Sequence, residues 1–124
     1  MSDVTATVDT YLTMLNETDP ARRAILVAEV WTEDGRWIDP PIDGEGHAGI
    51  NDMLETIHGQ FPGHTFRRTS AIDAHHGYLR FAWELVAPDG GVTVVGLDVG
   101  ELSPDGRLRR ITGFLGDLAA EAAA

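Results

Sequence analysis

The hydrophobic period of the sequence changes half-way along the chain, and this change limits the fold more than any other feature. Up to about residue 60, apolar side chains recur at the three- and four-residue spacing of helices. The predicted helices cover residues 3–16, 20–31 and about 50–61. Asp19 and Pro20 are suited to begin the second helix, and a turn at 33–35 and a short strand at 36–39 are predicted after it.

The second half of the chain alternates between apolar and polar side chains, as strands do. The predicted strands cover residues 65–75, 78–87, 92–102 and 108–115. Turn-forming Gly, Pro and Asp residues connect them, which favours an antiparallel meander. Helices followed by strands indicate an α+β fold. We therefore expect three N-terminal helices packed on a curved, mostly antiparallel sheet, forming a cone-shaped barrel with an internal pocket.

Length and charge exclude several kinds of function. A chain of 124 residues forms one domain, residues 1–124, and we expect 117–124 to be a flexible tail. A net charge of −11 argues against binding to nucleic acid or to an anionic membrane. All nine basic residues are arginine and cysteine is absent, which excludes Schiff-base and thiolate chemistry. No leader or membrane-spanning segment is recognisable, so we expect a cytoplasmic protein.

Asp98 is the most informative polar residue, because it lies in an apolar run and shares a strand face with Val94 and Gly96. Burial there would disfavour the charged form and raise the pKa of Asp98. A neutral carboxyl group can donate a hydrogen bond to a carbonyl or to a developing oxyanion. The alternative is a structural aspartate that pairs with Arg80 or Arg110 on a neighbouring strand.

Two further residues could contribute chemistry. Asp39 ends a predicted strand just before Pro40, where a carboxylate could serve as a general base at a pocket mouth. The alternative is an aspartate that merely initiates a turn. Tyr11 lies on the apolar stripe of the first helix, so its ring should point inward and its hydroxyl needs a partner. The alternative is an ordinary core tyrosine.

The sequence predicts neither a metal site nor an organic cofactor. His75 and His76 would point to opposite faces of an extended chain, and no helix carries the spacing of a histidine chelate. His47 could line the pocket from the start of the third helix, or could be solvated. Neither a nucleophile-elbow sequence nor a dinucleotide fingerprint is present.

Four local motifs, taken in their order, resemble the nuclear transport factor 2-like superfamily, and within it a SnoaL-like or ketosteroid isomerase-like protein. The resemblance covers Val4 to about Leu115. The motifs are Tyr11-Leu12-x-x-Leu15-Asn16, Trp37-Ile38-Asp39-Pro40 with Gly46 and Ile50 following, Val94-Val95-Gly96-Leu97-Asp98, and Gly106-Arg107-Leu108 leading to Phe114-Leu115-Gly116.

The resemblance implies an isomerase or cyclase that needs no cofactor and transfers a proton alpha to a carbonyl. Asp39 would be the proton-shuttling base, and Tyr11 and Asp98 would hold the enolate oxygen. The substrate would be an apolar, carbonyl-containing small molecule.

The alternative function is a non-catalytic binding or accessory domain for an apolar small molecule. This alternative is suggested by the number of aromatic and imidazole side chains expected at the pocket. Those side chains are Trp31, Trp37, His47, Phe61, Phe66, Phe81, Trp83 and Phe114. We also expect a homodimer, because residues 92–99 of the predicted strand are apolar on both faces and an exposed apolar face favours a partner. The residues expected at the dimer interface are Val95, Leu97, Val99, Ile111 and Gly113.

Overall fold

The structure, a computed structural model, describes residues 3–121, and these form three helices and seven strands. In chain order the elements are α1 (Val4–Asn16), α2 (Pro20–Val30), β1 (Trp31–Asp39), β2 (Ile42–Glu45), α3 (Gly46–Gln60), β3 (Thr65–Arg68), β4 (Asp73–His75), β5 (Tyr78–Val86), β6 (Val92–Leu102) and β7 (Leu108–Leu115). Residues 117–121 carry no regular secondary structure, and the rest of the expected tail lies outside the described residues.

The first two helices begin at aspartates that cap them. The side chain of Asp3 accepts a hydrogen bond from the Thr5 amide at 2.9 Å, and that of Asp19 accepts one from the Ala21 amide at 3.0 Å. Each bond satisfies an amide that the first helical turn leaves without a partner. Pro20 occupies the first turn of α2, as the sequence predicted. None of the described helices is long and apolar enough to cross a membrane.

The strands form one mixed, curved sheet in the order β2-β1-β7-β6-β5-β3, with β4 paired to the free part of β5. Strands β5, β6 and β7 are antiparallel neighbours, whereas β1 and β7 run parallel. The sheet is not closed, and the helices pack on its inner face. The expected α+β class, with three N-terminal helices on a curved and mostly antiparallel sheet, is confirmed.

Two local predictions were wrong, and one strand was not predicted. The turn predicted at 33–35 lies inside β1, where the pairing with β7 shifts register between Trp31 and Arg36. Strand β2 was not predicted, because its four residues are short and mostly polar. The strand predicted at 65–75 is divided into β3 and β4. The division occurs because the Ala82 amide of β5 donates to the Ser70 hydroxyl oxygen at 2.8 Å, in place of a backbone hydrogen bond between the strands.

Alternate residues of β5 and β7 face the core. Leu79, Phe81, Trp83 and Leu85 are all buried on the inner face, as the alternation predicted. On β7, Ile111 and Gly113 are also buried, so their assignment to the outer dimer face was wrong. The register puts Phe114, not these two residues, on the outer face beside Leu97. The inner side of β6 meets α1 through the hydrogen bond between Asp98 and Tyr11.

Candidate active site

Three elements that are distant in sequence bring Tyr11, Asp39 and Asp98 together. Tyr11 comes from the middle of α1, Asp39 from the end of β1 and Asp98 from the middle of β6. The Tyr11 hydroxyl donates to Asp98 Oδ2 at 3.0 Å. The ring of Tyr11 is fully buried and is surrounded by aromatic edges from Trp31, Trp37 and Phe81.

Asp98 is buried without a basic partner. Its side chain is 3% exposed, and its Oδ1 accepts a hydrogen bond from the Trp83 indole N–H at 3.0 Å. The alternative of an ion pair with Arg80 or Arg110 is wrong. Arg80 pairs with Asp73 at 2.9 Å, and Arg110 is exposed.

Burial first, and the nearby charge of Asp39 second, raise the pKa of Asp98 from its ordinary value of 3.8 to about 7. The hydrogen bonds from Tyr11 and Trp83 act in the opposite direction but are the smaller effects. Burial, followed by the charges of Asp98 and Asp39, also holds the pKa of Tyr11 well above its ordinary value. The site therefore holds the phenol neutral and holds Asp98 close to its point of half-protonation at neutral pH.

Asp39 is mostly buried, and its Oδ1 has no hydrogen-bond partner among the described residues. Burial raises its pKa to about 6. The Trp37 indole N–H acts on that pKa in the opposite direction and is the smaller effect, although the two groups do not reach regular hydrogen-bond geometry. An unpaired buried carboxylate of this kind is a stronger base than one in water.

Gly113 makes the close approach of the two acids possible. A side chain at this position would overlap Asp39 Oδ1, and its Cβ would lie 3.1 Å from Asp98 Oδ1. The two carboxylate oxygens therefore lie within about 5 Å of each other, a distance at which like charges raise one another's pKa. Because Asp98 faces Gly113 across the β6–β7 pair, the register of the sheet creates this space.

A cavity of about 190 Å³ opens beside Asp39. Among the described residues, Asp39 is the one charged member of the lining, and Gln60 contributes an amide. The remaining lining residues are Pro41, Ile42, Ile57, Phe61, Phe66, Trp83, Leu85, Val94 and Leu115. Tyr11 and Asp98 are not part of the lining; they lie next to Trp83 and Asp39, which are.

Larger hollows lie elsewhere on the surface but carry less chemistry. One of about 320 Å³ is lined by Asp73, His75, Tyr78 and Arg80, where the acid is already paired with the arginine. Another of about 460 Å³ follows β6 and the segment after β7, with Asp117 as its charged residue. Neither contains an unpartnered buried carboxylate.

The other residues expected to bind a ligand are scattered. Phe61 and Trp83 line the cavity, whereas Trp37 and Phe81 pack against Tyr11 beside it. His47 lies outside the cavity lining, and its Nε2 is 2.9 Å from the Trp31 carbonyl oxygen. Phe114 is 56% exposed and points to the outer face of the sheet. The site positions that the sequence did not indicate include Ile42, Gly113 and Leu115, whose roles depend on strand pairing, and Gln60 at the end of α3.

The histidine pair at the β4–β5 turn was described wrongly from the sequence. His76 has a φ of 50°, so the chain is not extended there, and the two Nδ1 atoms lie 3.1 Å apart. Both rings are exposed. Within residues 3–121, no group of three or more metal-ligating side chains is arranged to hold a metal ion.

Three helices on a curved, open sheet, with a small apolar cavity beside two neighbouring acids, define a class of α+β proteins. A sequence profile described as the SnoaL-like domain matches residues 8–111. The chain therefore belongs to the SnoaL-like family, within the nuclear transport factor 2-like superfamily.

Solved structures agree with this assignment. A protein from Agrobacterium tumefaciens, described as a candidate isomerase of the SnoaL-like family, is 38% identical; the match covers 94% of this chain and all of that one, with a TM-score of 0.88. A candidate SnoaL-like polyketide cyclase from Jannaschia is 18% identical over 93% and 89% of the two chains, with a TM-score of 0.68.

A de novo designed protein with a curved β-sheet has the same fold at 14% identity, covering 94% and 88% of the chains with a TM-score of 0.68. This designed neighbour shows that the fold alone does not define a function. Among curated proteins, none matches the sequence.

Proposed function

We propose that this protein catalyses proton transfer at the carbon next to a carbonyl group, as an isomerase or a cyclase, without a cofactor. The observation that carries the proposal is the carboxylate of Asp39, whose Oδ1 is buried and unpartnered beside an apolar cavity. With a pKa of about 6, Asp39 is ionised at neutral pH and is still a better base than an exposed aspartate.

In the proposed step, Asp39 removes the proton from the carbon next to the carbonyl. The C–H bond breaks, an O–H bond forms on Asp39, and the electron pair moves into the carbonyl to give an enolate. In an isomerase, Asp39 returns the same proton to another carbon of the conjugated enolate. In a cyclase, the enolate carbon forms a C–C bond with a second carbonyl carbon, the π bond of that carbonyl breaks, and the resulting alkoxide oxygen takes the proton back from Asp39. Neither outcome needs an oxidant or a reductant.

The negative charge that develops on oxygen needs stabilisation, and Tyr11 and Asp98 are the acids nearest to Asp39. A neutral phenol and a half-protonated carboxyl group suit this role. Both lie behind the cavity lining, so direct donation to a substrate oxygen requires the side chain of Trp83 or Asp39 to move.

The cavity supports a small and neutral substrate. Its volume of about 190 Å³ is only slightly larger than the ~150 Å³ that accommodates one benzene ring in an engineered cavity. Within residues 3–121, no cationic side chain lines the cavity, so a carboxylate substrate would meet Asp39 without a compensating charge. We therefore propose a single-ring or similarly small carbonyl compound. The resemblance to the Agrobacterium candidate isomerase supports the reaction class.

The direct test is exchange of the α-protons of cyclohexanone in D₂O, followed by ¹H NMR. We expect the protein to exceed the buffer rate, and Asp39→Asn to lose about 10²- to 10⁴-fold of that catalysis. Asp43→Asn is the matched control, because Asp43 is an exposed acid on the neighbouring strand that pairs with Arg36. Exchange at the buffer rate with both cyclohexanone and cyclohex-3-enone would contradict the proposal.

A binding or accessory function is the second candidate, and the burial of Tyr11 and Asp98 away from the cavity favours it. A binding protein needs the apolar lining but not an accessible pair of acids. It would show saturable shifts of the Phe61 and Trp83 NMR signals with cyclohexanone, without exchange of the α-protons. The same two measurements therefore separate the two functions.

We also propose that the outer face of the sheet pairs with a second copy of this chain. Val95, Val99 and Phe114 are exposed there on adjacent strands. The ion pairs Arg80–Asp73 and Arg67–Glu84 flank them, so the rim carries both signs and can complement itself.

Sedimentation velocity at micromolar concentration should give a dimer for the wild type and a monomer for Val99→Glu. The control Ile25→Glu, at an exposed position on α2, should remain dimeric. A wild type that sediments as a monomer contradicts the proposed pairing.

A further inference from the structure

The two oxygens of Asp98 have neighbours of different chemistry. Oδ1 accepts a hydrogen bond from the Trp83 indole N–H at 3.0 Å, and Oδ2 forms a hydrogen bond with the Tyr11 hydroxyl at 3.0 Å. An indole nitrogen only donates, whereas a phenol both donates and accepts. A proton placed on Oδ1 would therefore compete with the Trp83 donor, whereas a proton on Oδ2 can be donated to Tyr11.

We propose that Trp83 is a positioning residue, whose indole N–H keeps the proton of neutral Asp98 on Oδ2, facing Tyr11, and off Oδ1, which faces Asp39. The catalytic meaning of this arrangement rests on the function proposed above, but the placement of the proton does not. In this site Trp83 acts through Asp98 and makes no bond to a reacting atom.

The indole of Trp83 is held in its orientation by the sheet. Trp83 lies directly opposite Gly96 on β6, and a Cβ at Gly96 would collide with the six-membered ring of the indole. On its other side, the Phe66 ring meets the indole edge at a centroid distance of 5.6 Å. Only a glycine at position 96 leaves room for the indole to reach Asp98.

Few polar groups compete for the proton of Asp98. The groups that face it are Tyr11 from α1, Asp39 from β1 and Trp83 from β5. Strand β7 presents Gly113, which has no side chain. The proton therefore has two alternative positions, one bonded to Tyr11 and one directed at Asp39.

The position of the proton decides what Tyr11 can do. When Asp98 is ionised, the Tyr11 hydroxyl donates to Oδ2. When Asp98 is neutral with its proton on Oδ2, Tyr11 accepts that proton, and its own hydrogen is free to point to another oxygen. Under the proposed function, Tyr11 is thus available to an enolate oxygen only beside neutral Asp98. If the proton moved to Oδ1, Asp98 and Asp39 would share it, and the Tyr11 hydroxyl would continue to donate to Asp98 Oδ2.

The sequence offers a simple probe, because it contains only two tyrosines. In protein labelled with ¹³C at tyrosine Cζ, Tyr11 gives one signal, and the half-exposed Tyr78 gives the other as an internal reference. We expect the Tyr11 signal to titrate with Asp98 between about pH 5 and pH 9, toward the tyrosinate position as Asp98 ionises. Repeating the titration in Asp39→Asn removes any contribution from Asp39.

The first variant is Trp83→Phe, which removes the donor to Oδ1. We expect the midpoint of the Tyr11 titration to rise by about one pH unit, because the ionised form of Asp98 loses a hydrogen bond. Trp31→Phe is the matched control: Trp31 is also buried and touches the Tyr11 ring, but its indole N–H has no partner. Its midpoint should stay at the wild-type value. An unchanged midpoint in Trp83→Phe, in a variant that folds, overturns the proposal.

The second variant, Asp98→Asn, does not depend on changing Trp83. Because Trp83 needs an acceptor, the amide oxygen should face Trp83 and the amide NH₂ should donate to Tyr11. The Tyr11 signal should then remain at the low-pH wild-type position at every pH. A signal at the high-pH position would mean that the amide is reversed, and this result also overturns the proposal. Neither experiment needs a substrate. Both therefore test the placement of the Asp98 proton even if the exchange assay gives only the buffer rate.

Discussion

Arg23 and Asp39 both place charged atoms in the interior, but the protein surrounds those atoms in opposite ways. Arg23 is 0% exposed between α2 and α3. Its Nε donates to the Asn51 side-chain oxygen at 2.6 Å, one terminal nitrogen donates to the Glu17 carbonyl at 2.9 Å, and the other lies 3.5 Å from Glu55. Asp39 Oδ1, on the sheet side, has no partner among the described residues.

The difference separates a structural charge from a reactive one. A buried polar group without a hydrogen bond costs about 1–3 kcal/mol of stability, and native structures contain few of them. Arg23 avoids that cost because each side of its guanidinium has an acceptor. The unpartnered oxygen of Asp39 does destabilise the fold, but the same burial makes its carboxylate a stronger base, and this base faces a cavity. The charge of Arg23, on the helix side of the core, therefore supports stability, whereas the charge of Asp39, on the sheet side, supports reactivity.

The comparison predicts its largest effect on stability at Arg23. Arg23→Met removes the charge but preserves much of the volume, and it leaves the Glu17 carbonyl and Asn51 without their donor. We expect the free energy of unfolding to fall by about 3 kcal/mol. Urea denaturation measures the loss. The neighbouring Arg22→Met, at a side chain that is largely exposed, should change it by less than about 0.5 kcal/mol. Equal effects at the two positions would mean that the contacts of Arg23 are unimportant.

Gly113→Ala should have an intermediate effect, because the added Cβ would overlap Asp39 Oδ1. Relief of that overlap has to displace the carboxylate or the strand, at a cost of about 1–3 kcal/mol. We also expect the exchange activity to fall, because Asp39 moves away from its place beside the cavity. Gly59→Ala is the control: the same change in α3 meets nothing within 4 Å and should stabilise the helix by up to about 1 kcal/mol. A fully active and equally stable Gly113→Ala would show that Asp39 does not need this space.

The sequence predicted the parts of the fold that local signals determine. The bounds of β6 and β7 were predicted correctly, because turn-forming residues flank both strands and apolar alternation fills them. Strand β2 was not predicted, because its four mostly polar residues carry little strand signal, although it pairs locally with β1. The break between β3 and β4 was not predicted either, because it depends on a hydrogen bond between Ser70 and the Ala82 amide, twelve residues away.

For the site, the sequence indicated which residues carry chemistry but not how they are connected. Asp98 was recognisable as a carboxyl group in an apolar strand, and its burial is confirmed. The bond from Trp83 and the space over Gly113 depend on the registers of three strands, which hydrophobic patterning does not specify. The register also explains why Ile111 and Gly113 were assigned to the wrong face. A shift of one residue in strand pairing exchanges the inner and outer faces of a strand.

The smallest effect concerns the pH dependence of stability, and it tests whether both acids are as poorly solvated as their surroundings suggest. In the folded protein the pKa of Asp39 is raised to about 6 and that of Asp98 to about 7, from an ordinary value of 3.8. Between about pH 4 and pH 7 the folded state therefore binds more protons than the unfolded state. Stability must fall as the pH rises through this window and level off above it. We expect a loss of at least about 1.4 kcal/mol, the equivalent of one pKa unit.

Urea denaturation at pH 5 and pH 8 measures this loss, and the Asp39→Asn and Asp98→Asn double variant should remove it. The exposed acids Asp43 and Asp105 provide the opposite behaviour. Their partners lower their pKa, so they add stability only as the pH rises at the acid end, below the window in question. If wild-type stability instead rose from pH 5 to pH 8, Asp39 and Asp98 would be stabilised as carboxylates. The contrast with Arg23 would then disappear, because all three charges would be equally well satisfied.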